Sequence, residues 1–570
     1  MNVIVAPPAR SRRSGGGRQA LVAVAQVRLT VLSMVFGAAM LAILGKLVML
    51  ALWATPAPGK DPAAGPLPPR GDIVDRTGQP LARTIDGWSI AIHPGQVIND
   101  KSSLAQQLAA LMPEKSAAQY FALLNSGAKF AWLRRHAQPE LVNAANALGE
   151  PGIELMREPD RLYPQSTLAA HVLGFLNAAG HGEYGMERAL DAQLTSDAGR
   201  GQALALALDV RVQGALENEL TAAMTAFQAK GAAGVILDVR TGEVLAMVSL
   251  PSFNPNAIAG IVPRNNVTQS VYELGSTFKP IAVATAVDTG VVTDMSRRFD
   301  ATVPLQIGKF TIHDDRGDEQ KRWLNIPETL IYSSNIATSR IADEIGADRL
   351  QAMFRKLHFD TPPQIELGSA ARPLWPNYWA RTTVMTTAYG HGIAVTPLHL
   401  ASAYAALVNG GIWRPATLLK VAPGHGVPGE RVISEATSAR MRQLLRLIVL
   451  RGTGKKGDAL GYRVGGKTGT AEVAQGGSYN RSSNVSTFAA AFPIDAPRYV
   501  VVAMLDSPIG TKESFGLTTA AWTVAPVVGR VILRSGPMLG VMPDATRDID
   551  ESDLLPLIWN GPDPTKAGVE

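Results

Sequence analysis

The chain has 570 residues, 46% of them apolar and 18% charged, which excludes an intrinsically disordered protein and suggests two to four domains at about 150 residues each. Its net charge is +6, but residues 1–28 hold five arginines (Arg10, Arg12, Arg13, Arg18, Arg28) and no acid, so the other 542 residues carry only +1 and no broad basic face for nucleic acid is indicated. Cysteine is absent, which excludes a disulfide scaffold, a Cys nucleophile, Cys-ligated zinc and iron–sulfur clusters.

Leu29–Gly45 is 17 residues without a charge; Lys46 interrupts, and Leu47–Ala54 continues the apolar run. A membrane-spanning helix needs about 20 such residues. Lys46 can snorkel to the interface and Trp53 suits the interfacial belt. A cleaved signal peptide has a shorter apolar core and an A-x-A site, and Ala51–Gly59 (ALWATPAPG) has no clean one. A buried core helix gives no reason for the one-sided arginine cluster. The run therefore reads as a single-pass anchor over 29–54, with residues 1–28 as a cytoplasmic tail and everything after 54 outside the cytoplasm.

Residues 55–69 (TPAPGKDPAAGPLPP) read as a semi-rigid linker. Arg70–Ala82 (RGDIVDRTGQPLA) predicts strand, turn and strand, with Thr77-Gly78 at the turn. Residues 101–150 are Ala/Leu/Gln-rich at helical spacing, and a mixed stretch follows with Arg161-Leu162-Tyr163-Pro164 and Gly182–Glu187 (GEYGME). Asp209–Lys230 predicts an amphipathic helix; Ala233–Leu237, a Thr241-Gly242 turn and Val244–Ser249 predict a hairpin. Helix-like segments follow at Lys279–Asp288, Thr396–Asn409 and Ser434–Leu450, then strand-like runs at Tyr462–Val464, Val485–Phe492 and Tyr499–Leu505. Strands at both ends with helices between them predict an α+β domain whose sheet is completed by a late return of the chain. Residues 544–570 are polar, with Pro and Gly, and are expected to be mobile.

Three short patterns carry chemistry. In Gly275-Ser276-Thr277-Phe278-Lys279-Pro280, Ser276 and Lys279 share one face of a helix start, where an anionic oxygen is favoured and a lysine of lowered pKa can take the serine proton. Alone, S-x-x-K is weak, and a capping Ser with a surface Lys is the bland account. Ser333-Ser334-Asn335 lies 57 residues after Ser276 and puts a hydroxyl and an amide two apart on a loop; a polar helix cap explains it equally well. In Gly466–Ala471 (GKTGTA), the five-residue core KTGTA recurs by chance in about one in 10⁴ chains of this length. On a strand, Lys467 and the hydroxyls of Thr468 and Thr470 can meet a carboxylate, while Gly469 admits a backbone. Two decoys overlap it. Gly461–Thr468 fits the phosphate-loop pattern and Gly452–Gly457 fits G-x-G-x-x-G, but the residues after Lys467 read as strand and loop rather than helix, so no nucleotide is expected.

S-x-x-K, S-x-N and K-T-G in this order are the signature of penicillin-binding proteins and serine β-lactamases. The chain resembles class B penicillin-binding proteins, most closely the cell-division type, and does so over nearly its whole length. The anchor, RGDIVDRTGQPLA, RLYP, GEYGME and Gly242–Asn256 (GEVLAMVSLPSFNPN) follow that family in order. Asn335 together with KTGTA favours the division type over the elongation type, which more often has Asp; His399 stands where Gln is expected in a TPLQLA-like segment.

The resemblance implies an α+β protein with one N-terminal transmembrane helix, a mixed α/β pedestal of the penicillin-binding protein dimerisation type over 70–203, and a serine β-lactamase-like transpeptidase domain over 204–543. That domain would have a central antiparallel sheet flanked by helices, and 544–570 would be a polar tail. It implies that peptidoglycan stems ending in D-Ala-D-Ala are the substrate, with Ser276 as nucleophile and Lys279 as general base. Ser333 would relay a proton in a network with Lys279 and Lys467, and Asn335 would hold the substrate amide and position Lys279. Lys467, Thr468 and Thr470, with Gly469 between them, would bind the terminal carboxylate. Backbone N–H groups of Ser276 and Thr470 would form the oxyanion hole. No metal and no cofactor are implied. β-Lactams would acylate Ser276, and partners would be a lipid-II-polymerising glycosyltransferase and other division proteins, at the septum of an inner membrane with the catalytic domain in the periplasm. An elongation-type enzyme, a β-lactamase and a non-catalytic sensor or scaffold are the alternatives. His313-Asp314-Asp315 reads as a polar loop rather than a metal cluster, His391 and His399 as ordinary residues, Trp375 and Trp379 as packing, and the Asn266 and Asn484 glycosylation patterns as chance.

Overall fold

The computed structural model describes residues 16–53 and 70–561, apart from 178, 201, 259, 316, 476 and 477; side chains are described for 27–46 and for 70–561 apart from those positions and 474–482. Arg10, Arg12 and Arg13 of the basic tail, the linker and residues 562–570 lie outside the described residues. The chain divides into two units, residues 1–65 and 66–570.

In the first unit the apolar run is one helix, Gly16–Trp53. Its window Val27–Lys46 spans 20 residues at a mean hydropathy of 2.1. At about 1.5 Å per residue that matches a bilayer core of about 30 Å.

The second unit opens with the pedestal. The strand Ile73–Val74 turns at Thr77-Gly78 into the long strand Pro80–Ile92, which pairs antiparallel with Ile153–Leu162 from Ile92↔Ile153 to Arg83↔Leu162. Helices Lys101–Leu111, Ala117–Leu124 and Pro139–Ala147 pack on this sheet through Leu104, Leu108, Tyr120, Leu124 and Val142 against Ile90 and Ile92. Below it, three distant pieces of sequence meet in one buried ion network. Arg70 reaches Glu187 (2.6 Å) and Asp191 (2.6 Å), Arg161 reaches the second oxygen of Glu187 (2.7 Å), and the Tyr163 hydroxyl donates to Glu187 (3.3 Å). Burial is tolerable because the carboxylate is shared by two guanidinium groups and a hydroxyl.

The transpeptidase-like part is built on a five-stranded antiparallel sheet in the spatial order Gly465–Gln475, Ser478–Phe492, Tyr499–Asp506, Gly231–Asp238, Val244–Leu250. The late return of the chain thus supplies three of its five strands. Tyr499–Asp506 reads YVVVAMLD without alternation because both faces are covered. Val500, Val502 and Met504 face helices Lys279–Asp288, Asn335–Lys356, Pro397–Val408 and Glu435–Arg451, while Val501, Ala503 and Leu505 face helices Val210–Ala226 and Ala525–Ser535.

Three expectations need correction. Tyr462–Val464 is not strand: Arg463 has φ 50° in a turn, and the edge strand begins at Gly465. Ser333-Ser334-Asn335 is loop only in part: Ser333 lies in a turn, Ser334 is the N-cap of helix Asn335–Lys356, and Asn335 is its first residue. The segment after residue 544 is not free: up to Gly561 it is held by side chains far away in sequence, among them Arg446 on Asp548.

Candidate active site

The nucleophile turn, Gly275–Phe278, is a single 3-10 turn that runs directly into helix Lys279–Asp288. It is fixed from below by the Tyr404 hydroxyl, which donates to the Thr277 carbonyl at 2.9 Å in a fully buried position. Glycines bring the surrounding chains close. A Cβ on Gly469 would lie 2.3 Å from the Leu274 carbonyl oxygen, and one on Gly390 would lie 2.2 Å from that of Gly275. Gly275 itself has φ 55° and rests against the Thr470 backbone. Ser276 and Thr470, expected to donate to one oxyanion, are therefore on touching segments.

Lys467 lies on the edge strand, opposite Ala489. Its side chain is fully buried, and its Nζ donates to the Thr468 carbonyl (2.9 Å) and to Ser333 Oγ (2.9 Å). The Thr468 carbonyl thus faces the cleft and not the neighbouring strand. Backbone groups two residues apart on a strand point the same way, so the Thr470 N–H faces the cleft as well. The pleat sends the side chains of Thr468 and Thr470 to the face opposite Lys467. Thr468 Oγ1 pairs with Thr453 Oγ1 (2.7 Å), and Thr470 Oγ1 accepts from the Ala520 N–H (3.1 Å). Lys467 is thus a buried amine beneath the strand, with the Thr468 and Thr470 hydroxyls on the strand's other face.

Ser333 joins the motifs. Lys279 Nζ donates to Ser333 Oγ (3.1 Å) and to the Ser333 carbonyl. Two lysines therefore occupy the acceptor positions of one hydroxyl, which leaves its proton free to be donated outward. Ser333 has φ 57°, a left-handed conformation unfavourable for a side chain with a Cβ. Its neighbours fix it. Ser334 Oγ donates to both oxygens of Asp314 at 3.0 Å, the Ile336 N–H donates to Asp314 at 3.0 Å, and Asn335 Nδ2 donates to the His313 carbonyl at 3.0 Å. Asn335 thus gives its amide to His313 rather than to Lys279.

Lys279 is fully buried, and burial lowers its pKa to about 8, against the opposing pull of Asp315, Asp314 and Asp318. Lys467 is lowered in the same direction, first by burial and then by the neighbouring Lys279. A larger neutral fraction of the amine beside the nucleophile than a free lysine has is the consequence. His391 is pushed down to about 4 by burial and by Lys279, and Tyr389 up to about 12 by burial, Asp315 and Glu273. Among the described residues no group of three His, Asp or Glu is placed to hold a metal ion.

The family model described as "Penicillin binding protein transpeptidase domain" matches residues 232–528, and "Penicillin-binding Protein dimerisation domain" matches residues 66–207. The chain is 41% identical over 504 residues to "Probable peptidoglycan D,D-transpeptidase FtsI" of Caulobacter vibrioides, covering 86% of this chain and 85% of that protein. The chain belongs to the penicillin-binding protein transpeptidase family. Against "Peptidoglycan D,D-transpeptidase FtsI" of Escherichia coli K12 this penicillin-binding protein is 31% identical over 523 residues, 85% of its own length and 86% of the other's. Penicillin binding protein 3 of Mycobacterium tuberculosis, solved in complex with aztreonam, superposes with a TM-score of 0.65 at 25% identity, covering 84% of this chain and 97% of that one.

Sequence reasoning missed several groups at the site. Glu273, three residues before the nucleophile, accepts from the Gly392 N–H (2.9 Å) and lies 3.5 Å from His391 Nδ1. Asp314 caps the helix of the second motif across 20 to 22 residues of chain. Position relative to Ser276 was a signal for Glu273. None existed for Thr453 or Ala520, which reach the edge strand only through the fold.

Proposed function

We infer that this chain is a membrane-anchored peptidoglycan D,D-transpeptidase of the division type that works through an acyl-enzyme on Ser276. The observation that carries the reading is Ser333 Oγ held between the buried amines of Lys279 (3.1 Å) and Lys467 (2.9 Å), which ties the three motifs into one proton network.

In this reading neutral Lys279 takes the Ser276 proton as Oγ bonds to the carbonyl carbon of the penultimate D-Ala. The oxyanion is met by the N–H groups of Ser276 and Thr470, each contributing about 3 kcal/mol to the transition state. The C–N bond then breaks, and the departing D-Ala amine takes a proton passed from Lys279 through Ser333. A second stem's amine attacks the ester, loses its proton to the network and leaves a cross-link with Ser276 restored. Thr468 and Thr470 hold the terminal carboxylate, with Lys467 beneath the strand holding Ser333. Asn335 holds the substrate amide.

The same chemistry makes β-lactams acylating inhibitors. The solved relative's complex with aztreonam supports that reading. The five arginines ahead of the uncharged run from Leu29 favour a cytoplasmic N-terminus and a catalytic domain outside it. Function at the septum with a lipid-II-polymerising glycosyltransferase and other division proteins rests on the division-type relatives and on Asn335 with KTGTA. The test is a stem pentapeptide ending in D-Ala-D-Ala, supplied with and without a second stem as acceptor. Acceptor-dependent formation of a cross-linked product with release of D-Ala supports transpeptidation. Release of D-Ala by water alone, indifferent to acceptor, would replace it with a carboxypeptidase.

A further inference from the structure

The polar segment after residue 544 crosses two helices that feed the site. On helix Glu435–Arg451, Arg446 Nε holds both oxygens of Asp548 (3.0 and 2.9 Å), Gln443 Nε2 donates to the Asp550 carbonyl (2.7 Å), and Arg440 pairs with Asp553. Leu554 is fully buried. The chain then reaches helix Ile326–Ile331. Asn325 Nδ2 donates to the Leu557 carbonyl (2.6 Å), and the backbone N–H of Trp559 donates to Glu328 Oε1 (2.9 Å), so the Trp559 side chain acts through its ring on Arg322. The Arg322 guanidinium lies 5.6 Å from the Trp559 ring and 5.5 Å from the Tyr332 ring.

Each helix delivers a group to the site. Helix Ile326–Ile331 ends two residues before Ser333, and helix Glu435–Arg451 ends two residues before Thr453, the partner of Thr468. The helices also touch: a Cβ on Gly452 would lie 2.5 Å from the Ile331 carbonyl oxygen. The contacts from the segment are not needed to cap the first helix. Asn325 Oδ1 already accepts from the Glu328 N–H (3.0 Å) and Glu328 Oε2 from the Asn325 N–H (3.2 Å), a closed capping box. The segment takes Asn325 Nδ2, and shares Glu328 Oε1 with Arg322 (2.9 Å), and so decides where a helix that is already stable is seated.

We propose that residues 548–559 form a strap that seats helix Ile326–Ile331 and thereby holds Ser333 in its left-handed turn against Lys279 and Lys467, with Asn325, Glu328 and Trp559 as positioning residues for acylation. This rests on the transpeptidase reading. Ser333 is the residue most sensitive to seating, because its conformation is intrinsically disfavoured and persists only where its surroundings over-determine it.

The test uses the full-length chain in detergent, with Asn325→Ser, Trp559→Ala and Trp559→Phe. Asn325→Ser keeps a capping oxygen and removes the bond to Leu557. The rate constant for acylation by a penicillin is followed across pH, beside the melting temperature. The expected result is acylation about 10-fold slower in Asn325→Ser and Trp559→Ala, as a small misplacement of a catalytic group produces, with Trp559→Phe close to wild type. The rising limb of the pH profile moves to higher pH in the slow variants, because water reaches Lys279. The other charged groups facing Lys279, namely Lys467, His391, Asp314, Asp315 and Asp318, are unchanged in every variant. Variants that melt lower but keep the wild-type rate and pH profile would overturn the proposal. A wild-type chain that forms no adduct at all would overturn the transpeptidase reading itself, and the strap's catalytic role with it.

Discussion

One hydroxyl, that of Ser333, receives hydrogen bonds from two lysines that the chain buries completely. Removing it leaves both amines short of a partner and deletes the proton path to the leaving group. Ser333→Ala is therefore expected to slow acylation by about 10²–10³-fold, measured as the second-order rate constant with a penicillin. Lys279 carries the pH dependence. Burial disfavours its charged form and brings its pKa to about 8, so acylation should rise with pH and level off above about 8. About a tenth of the chains hold a neutral Lys279 at pH 7, against fewer than about one in a thousand for a free lysine. A flat profile between pH 6 and 9 would remove Lys279 as the base.

At the scale of elements, the site is assembled by close approach. The turn at Gly390 sits against Gly275, and both have left-handed φ values, 81° and 55°. Gly390→Ala should push the nucleophile turn away from the edge strand and lower acylation by about 10²-fold, with a smaller loss of thermal stability. Asp314 does two jobs for helix Asn335–Lys356, accepting from Ser334 Oγ and the Ile336 N–H. Asp314→Ala should cost about 1–2 kcal/mol in denaturant unfolding. The local signals in the sequence were the strong ones. The hairpin at Thr241-Gly242, the late strands and the three motifs are short-range patterns, and the fold brings Lys279, Ser333 and Lys467 into one hydrogen-bonded cluster, with Ser276 one turn before Lys279. What escaped reading is non-local. Asp314 acts on Ser334 from 20 residues away, and the strap segment looked free because Arg446, which holds Asp548, lies 102 residues earlier. Tyr462–Val464 looked like strand on composition, and only the turn at Arg463 shows where pairing begins.

Over the whole molecule, buried charge ties distant segments together and makes stability depend on pH. Glu187 is shared by Arg70 and Arg161, and Glu187→Ala would strand the Arg161 guanidinium and leave Arg70 with the Asp191 carboxylate alone, at a cost of about 3–5 kcal/mol in unfolding free energy. Glu551 in the strap behaves in the opposite sense. Burial, with Asp548 and Asp550 nearby and Arg446 and Arg451 opposing, raises its pKa to about 7. The unfolded chain ionises this carboxyl near pH 4.5, so stability is highest below that pH and falls until the folded-state group ionises near 7. After solvent screening the loss is on the order of 1–2 kcal/mol, and Glu551→Gln should abolish it in melting curves taken across that range.

The central claim, a Ser276 acyl-enzyme that resists water, is tested most directly by intact-mass analysis of the full-length chain with a penicillin over hours, beside Ser276→Ala. A long-lived adduct of one drug mass on the wild type and none on the variant is the predicted result. Rapid consumption of the drug without a persisting adduct would contradict it and make the protein a β-lactamase.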